Sequence, residues 1–249
     1  MPNWYSELKR KELLEQPFPR PWQELLHERV WQYQQLCLEQ RDRLHDCVKV
    51  MVTEVDWQSV NGHVVNDSMK ITIAGHASLM LLGFEDDFME EVHTIQVCRQ
   101  EFDDNREIDP VYATETKSGR AKPDGTTLLS WHYVMNARPG GERNLVIHEF
   151  AHHFDRRDGQ MSATLAFEDP IHQARWDAVV TEEYSDLCAA AATGQWTILR
   201  HYGAKNRNEF FAVAFEAFFE SPERLKRSHV ELYDLLARYF NLNTVNWVT

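Results

Sequence analysis

No run in the chain approaches 18 apolar residues, so the sequence offers no helix long enough to cross a bilayer. The opening MPNWYSELKRKELLEQ lacks the basic-then-apolar order of a secretion signal. Cysteine is scarce. The four residues, Cys37, Cys47, Cys98 and Cys188, are far apart, form no C-x-x-C pair and read as free thiols of a reducing compartment. These features predict a soluble, cytoplasmic protein with no membrane partner. Basic residues are outnumbered, 26 Lys and Arg against 39 Asp and Glu. The resulting net charge of -13 argues against direct nucleic-acid binding, which requires clustered cations, so any DNA-related role is indirect. There is no internal repeat and no low-complexity tract.

What is present suffices for a substantial core: 249 residues with 43% hydrophobic content, enough for one large domain or two intimate ones. Apolar residues recur at helical intervals from Trp22 to about Val55, predicting two helices with a short break. Asp56 to Asp67 reads as a loop. Lys70 to Gly83 reads as a buried helix with His76 as a core histidine, and Glu91 to Arg99 alternates as a strand does. The polar stretch Asp103 to Asp109 reads as a loop. Thr126 to Met135 carries the best strand signal, following the turn-like Pro123-Asp124-Gly125. This strand either pairs with an extended peptide or lies inside a sheet. Downstream, Ala174 to Ala192 reads as a helix and Pro222 to Asn241 as an amphipathic packing element.

The informative stretch is Asn144 to Gly159, NLVIHEFAHHFDRRDG, which contains H-E-x-x-H at His148-Glu149-Phe150-Ala151-His152. On a helix, residues four apart stack on one face, so His148 and His152 can aim two imidazoles at one ion. Ile147, Phe150, Ala151 and Phe154 supply the apolar side that anchors such a helix, and Asn144 is its expected N-cap.

A second helix is expected from near Glu209 to the residue before Pro222, capped by Asn206 or Asn208. Glu209 and Glu216 share one face amid phenylalanines, and a buried carboxylate demands a partner or a metal. Glu209 is therefore the candidate third ligand beside His148 and His152, a set suited to one zinc ion per chain. The other reading of Glu209 is a helix-start carboxylate complementing the dipole. Glu149 is the candidate general base. Tyr202 is either a donor to a developing oxyanion or a core tyrosine. Asp155 and Glu216 are candidates to accept the imidazole N–H groups and orient the rings.

These residues resemble the Mlc titration factor A family of zinc metallopeptidases. The likeness lies in His148-Glu149-Phe150-Ala151-His152-His153-Phe154-Asp155, the preceding Leu129-Ser130-Trp131, and Glu209-Phe210-Phe211-Ala212-Val213 with Glu216 and Phe218-Phe219-Glu220. It extends to Pro17-Phe18-Pro19, Trp22 and Ile73 to Gly83, and so covers nearly the whole chain. More distantly, the spacing from Tyr202 to Glu209 is similar to that in the catalytic domain of anthrax lethal factor. The resemblance implies His148, His152 and Glu209 as zinc ligands, Glu149 as base and Tyr202 as transition-state donor. It implies an α+β, mainly helical, zincin-like fold with a small sheet: a single domain over residues 1–249, whose N-terminal helical portion, about 1–68, packs on the catalytic core. It also implies aminopeptidase-type cleavage of a peptide or protein substrate, and binding of a repressor of the Mlc type. Two departures stand out. Arg207-Asn208 replaces a proline often found before the Glu helix, and Met161-Ser162-Ala163-Thr164 replaces a glycine-rich loop, which bears on substrate preference.

Overall fold

In the computed structural model, residues 4–100, 118–138, 141, 143–157, 165–167 and 169–248 are described. The expected loops at 103–109 and 161–164 lie outside them.

Three helices, α1 (Trp4–Glu15), α2 (Arg20–Arg29) and α3 (Leu38–Glu54), open the chain, with a 3-10 turn at Trp31–Gln35. α2 and α3 pack against α4 (Asp67–Ser78), whose buried side chains include Ile71, Ile73 and His76, and α1 packs on α3. Asn66 caps α4 by accepting the Met69 N–H. Gly75 allows α2 to approach, because a Cβ there would lie 2.5 Å from Leu26 Cδ2 and 2.9 Å from Val30 Cγ2.

The sheet follows. A short β1 (Asp56–Ser59) runs parallel to β2 (Thr94–Cys98). After β3 (Gly119–Ala121) the chain turns at Gly125, which takes φ +78°, and forms β4 (Thr126–Ser130). β4 is parallel to β2 and antiparallel to β3, so the order is β1-β2-β4-β3. Of the two expectations for the strand before the motif helix, the interior one holds: β4 has a neighbour on each side, and β3 takes the edge. The strand is also shorter than its sequence signal. Trp131–Val134 turns into a helical segment, α5, because β2 ends opposite Ser130 and offers no further partner. β1 falls in the stretch expected to be a loop. Its four residues, burial pattern mostly exposed, carry no apolar alternation to betray them.

The remaining helices are α6 (Leu145–Phe154), α7 (Pro170–Thr193), α8 (Arg207–Glu220), α9 (Pro222–Ser228) and α10 (Val230–Tyr239). α6 ends at Phe154, with Asp155 as its C-cap. Asp169 caps α7 at one end, and Gly194, φ +68°, closes the other. The final segment is two helices separated at His229, and Val230 is 52% exposed.

The core gathers around α8. Every residue from Phe210 to Glu220 is buried. Phe215 stands 4.4 Å from Phe211 and 4.9 Å from Phe240, ring centre to ring centre, and also touches Phe154 of α6. These contacts bring α6 against α8, which sets the site below. No helix among the described residues is long and apolar enough to cross a membrane.

Because Phe215 is fully enclosed, Phe215→Ala is expected to destabilise by about 3–5 kcal/mol. Urea unfolding of the two proteins checks this; a loss under about 1 kcal/mol would mean that the aromatic cluster repacks without it.

Candidate metal centre and active site

Two asparagine caps fix the helices that meet here. The Asn144 side chain accepts the Ile147 N–H at 3.2 Å, starting α6, and that of Asn206 accepts the Glu209 N–H at 2.9 Å, starting α8. With the helices packed together, His148 Nε2 lies 3.0 Å from Glu209 Oε2, and His152 Nε2 lies 3.6 Å from the same oxygen. The three donor groups all fall within 4.8 Å of one another. Among the described residues this is the one such cluster of His, Cys, Asp and Glu.

The electrostatics match the geometry. Burial opposes a charge on His148, yet Glu216 and Glu209 outweigh it and push the imidazole up to about 10. Burial likewise opposes ionisation of Glu209, but the two imidazoles hold its carboxyl well below the usual range. Two imidazole nitrogens and a carboxylate drawing positive charge to one point are a fitting donor set for a divalent cation.

Around these groups, Glu216 Oε2 sits 3.2 Å from His148 Nδ1 and accepts an ion pair from Arg200. Its other oxygen accepts the Asn144 backbone N–H at 2.9 Å. Burial works against the Glu216 charge, and Arg200 and His148 overcome it to keep the carboxyl lowered. Asp155 is placed differently. It is fully buried, but no hydrogen bond joins it to His152, whose Nδ1 has no partner among the described residues. Asp155 is the C-cap of α6, past its last turn.

Glu149 is buried, and its Oε2 accepts the Ala121 N–H of β3 at 2.8 Å; burial raises its pKa. The Tyr202 hydroxyl donates to Glu209 Oε1 at 3.2 Å, and its ring lies 5.8 Å from that of His148. A cleft of about 530 Å³ opens onto His148, Glu149, Tyr202 and Glu216, with Tyr133, Asn136 and Arg143 along its wall. His132, by contrast, is exposed.

Sequence reasoning did not find Arg200, Ala121 or the role of Glu220. Glu220 accepts from Trp31 Nε1 at 2.8 Å, Gln32 Nε2 at 3.0 Å and Asn144 Nδ2 at 2.6 Å. His76, the core histidine, faces the same Asn144 amide at 3.0 Å. The one local signal for Glu220 was its position a helical turn beyond Glu216.

A mainly helical α+β fold that turns an H-E-x-x-H helix toward a cleft, with a glutamate from a second helix beside it, is that of a metallopeptidase. The model of the family described as glucose-regulated metallo-peptidase M90 matches residues 4–241, and the chain belongs to that family. It is 28% identical over 249 residues to the uncharacterized protein slr2042 of Synechocystis, an alignment spanning 97% of this chain and 90% of that one. Mlc titration factor A of Yersinia enterocolitica is 26% identical over 218 residues, 81% of this chain and 77% of the relative. The same-named protein of Edwardsiella ictaluri is 28% identical over 133 residues, 50% of this chain and 48% of its own length.

Replacing the Glu216 carboxylate is expected to weaken metal binding: Glu216→Gln should lose about 10–100-fold in affinity. Competition with a chromophoric chelator measures it, and an unchanged affinity would remove Glu216 from any ring-orienting role. A second expectation concerns pH. Burial pushes Glu220 from 4.5 up to about 7 against the three donors that face it. The folded state therefore holds this proton more tightly, so the stabilisation is complete below 4.5 and is lost as pH rises through about 7. Its size is on the order of 3 kcal/mol. Unfolding at pH 5 and pH 8 should show a smaller pH-dependence in Glu220→Gln than in the parent; equal slopes would refute the assignment.

Proposed function

We propose that the protein is a zinc-dependent peptidase of the aminopeptidase type. The observation that carries this reading is the convergence of His148, His152 and Glu209 within 4.8 Å, one helical position from the buried carboxylate of Glu149. In this reading the three side chains hold one zinc ion. Zinc, when bound, supplies Lewis acidity toward the attacking water and the peptide carbonyl.

The protein's own groups do the rest. Glu149, enclosed and with a raised pKa, takes the proton of the attacking water and passes it to the departing amine. Tyr202 turns its hydroxyl from Glu209 toward the oxyanion that develops at the scissile carbon. Glu216, anchored by Arg200, holds the His148 ring through Nδ1. The N-terminal helices belong to the same catalytic unit, joined to α8 through Trp31 and Gln32.

A second role is supported by the name shared by the Yersinia and Edwardsiella relatives, Mlc titration factor A. In this reading the chain binds a transcriptional repressor of the Mlc type in the cytoplasm, and the metal serves mainly to hold the fold. The acidic surface implied by a net charge of -13 suits a protein that acts on the repressor rather than on DNA.

The deciding variant is Glu149→Gln, assayed on chromogenic aminoacyl substrates with metal content measured in parallel. Retention of metal with a loss of turnover of about 10²–10⁴-fold is expected. Turnover at the parent rate would sink the peptidase reading, and intact repressor binding with no catalysis in either protein would favour the second role.

A further inference from the structure

Glu149 is a long side chain with three rotatable bonds, and a base that must meet one water needs to be held. The structure supplies a holder that the H-E-x-x-H motif itself does not contain. In the β3–β4 ladder, Ser130 N–H donates to Ser118 O at 2.7 Å and Lys122 N–H to Thr126 O at 2.8 Å. Antiparallel pairing then turns the polar groups of the residues between, Gly119 and Ala121, away from β4 and toward α6.

Both polar groups of Ala121 are engaged there. Its N–H donates to Glu149 Oε2 at 2.8 Å, and its carbonyl accepts from Arg156 Nη2 at 3.2 Å. The other carboxylate oxygen lies over Gly119. A Cβ at that position would stand 2.4 Å from Glu149 Oε1 and 2.7 Å from both Cδ and Cγ, closer than side chains approach one another. Gly119 has no positive φ, so a side chain there would disturb this carboxylate and not the turn of the chain.

We propose that the edge strand β3 positions the catalytic carboxylate, with Ala121 holding one oxygen of Glu149 and Gly119 leaving the space that the other occupies. Gly119 and Ala121 are positioning residues, since neither donates or accepts the transferred proton. The inference rests on the peptidase reading for its catalytic consequence, while the contact itself is open to direct measurement.

Hydrogen exchange on the full-length, metal-loaded protein tests the contact without any assay of turnover. In Glu149→Ala, exchange at the Ala121 amide should accelerate at least about tenfold, while the Arg120 and Lys122 amides, which face β4, keep their protection. Two variants test the consequence. Gly119→Ala pushes the carboxylate aside. Ala121→Pro removes the donor without breaking a ladder bond, because that N–H faces away from β4.

Each variant should retain its metal and lower kcat by roughly 10²-fold, with KM changed by less than about threefold. Unchanged Ala121 exchange in Glu149→Ala overturns the proposal whether or not the variants fold. So does a folded, metal-loaded Gly119→Ala or Ala121→Pro protein with the parent kcat. If Glu149→Gln is inactive in those circumstances, the peptidase reading stands and the positioning role alone is lost. Full turnover in Glu149→Gln removes the peptidase reading instead.

Discussion

A carboxylate in a protein interior has to be paired, and the way Glu216 is paired organises this molecule. One oxygen accepts the backbone N–H of Asn144, at the start of α6; the other faces His148 Nδ1 and Arg200. Two separated parts of the chain, α6 with its cap and the segment at Arg200, are thereby tied to one buried charge on α8. Removing a single partner from such a group typically costs about 3–5 kcal/mol, because the charge that remains is stranded. The register of α6 against α8 follows from this tie, and with it the approach of His148 and His152 to Glu209.

Three buried glutamates show how strongly environment separates identical side chains. Glu216 has a guanidinium beside it and is kept ionised despite burial. Glu220, one turn along the same helix, has only neutral donors from Trp31, Gln32 and Asn144, so burial prevails and lifts it to about 7. Glu149 is raised by burial as well, with a backbone N–H as its hydrogen-bond partner. Arg200 is what separates Glu216 from Glu220, whose hydrogen bonds alone do not offset the loss of water; at Glu149 burial outweighs the lowering effect of the two imidazoles.

The parts that were legible in sequence are those coded within a few residues. His148 and His152 declare their face by spacing, Asn144 and Asn206 sit where caps must sit, and Glu209 stands out as a carboxylate among phenylalanines. The fold class was legible too, through the family resemblance carried by the His148 and Glu209 stretches. The sheet was less so. β1 and β3 are too short to alternate, and Trp131–Val134 carries β-favouring residues yet has no strand beside it to pair with. Glu220 illustrates the harder limit: its partners Trp31 and Gln32 lie 189 and 188 residues away, and no local pattern records them.

The unbroken burial of α8 from Phe210 onward carries an evolutionary consequence. From Phe210 to Glu220 the helix has no solvent face on which a substitution passes unnoticed, and its two ends carry Glu209 and Glu220. A change of volume at Phe215 is felt by Phe154 on the very helix that bears His148 and His152. Drift along this helix is therefore expected to proceed by compensating pairs, with an enlargement on α8 answered by a reduction on α6 or at Phe240, since either change alone would move the histidines relative to Glu209.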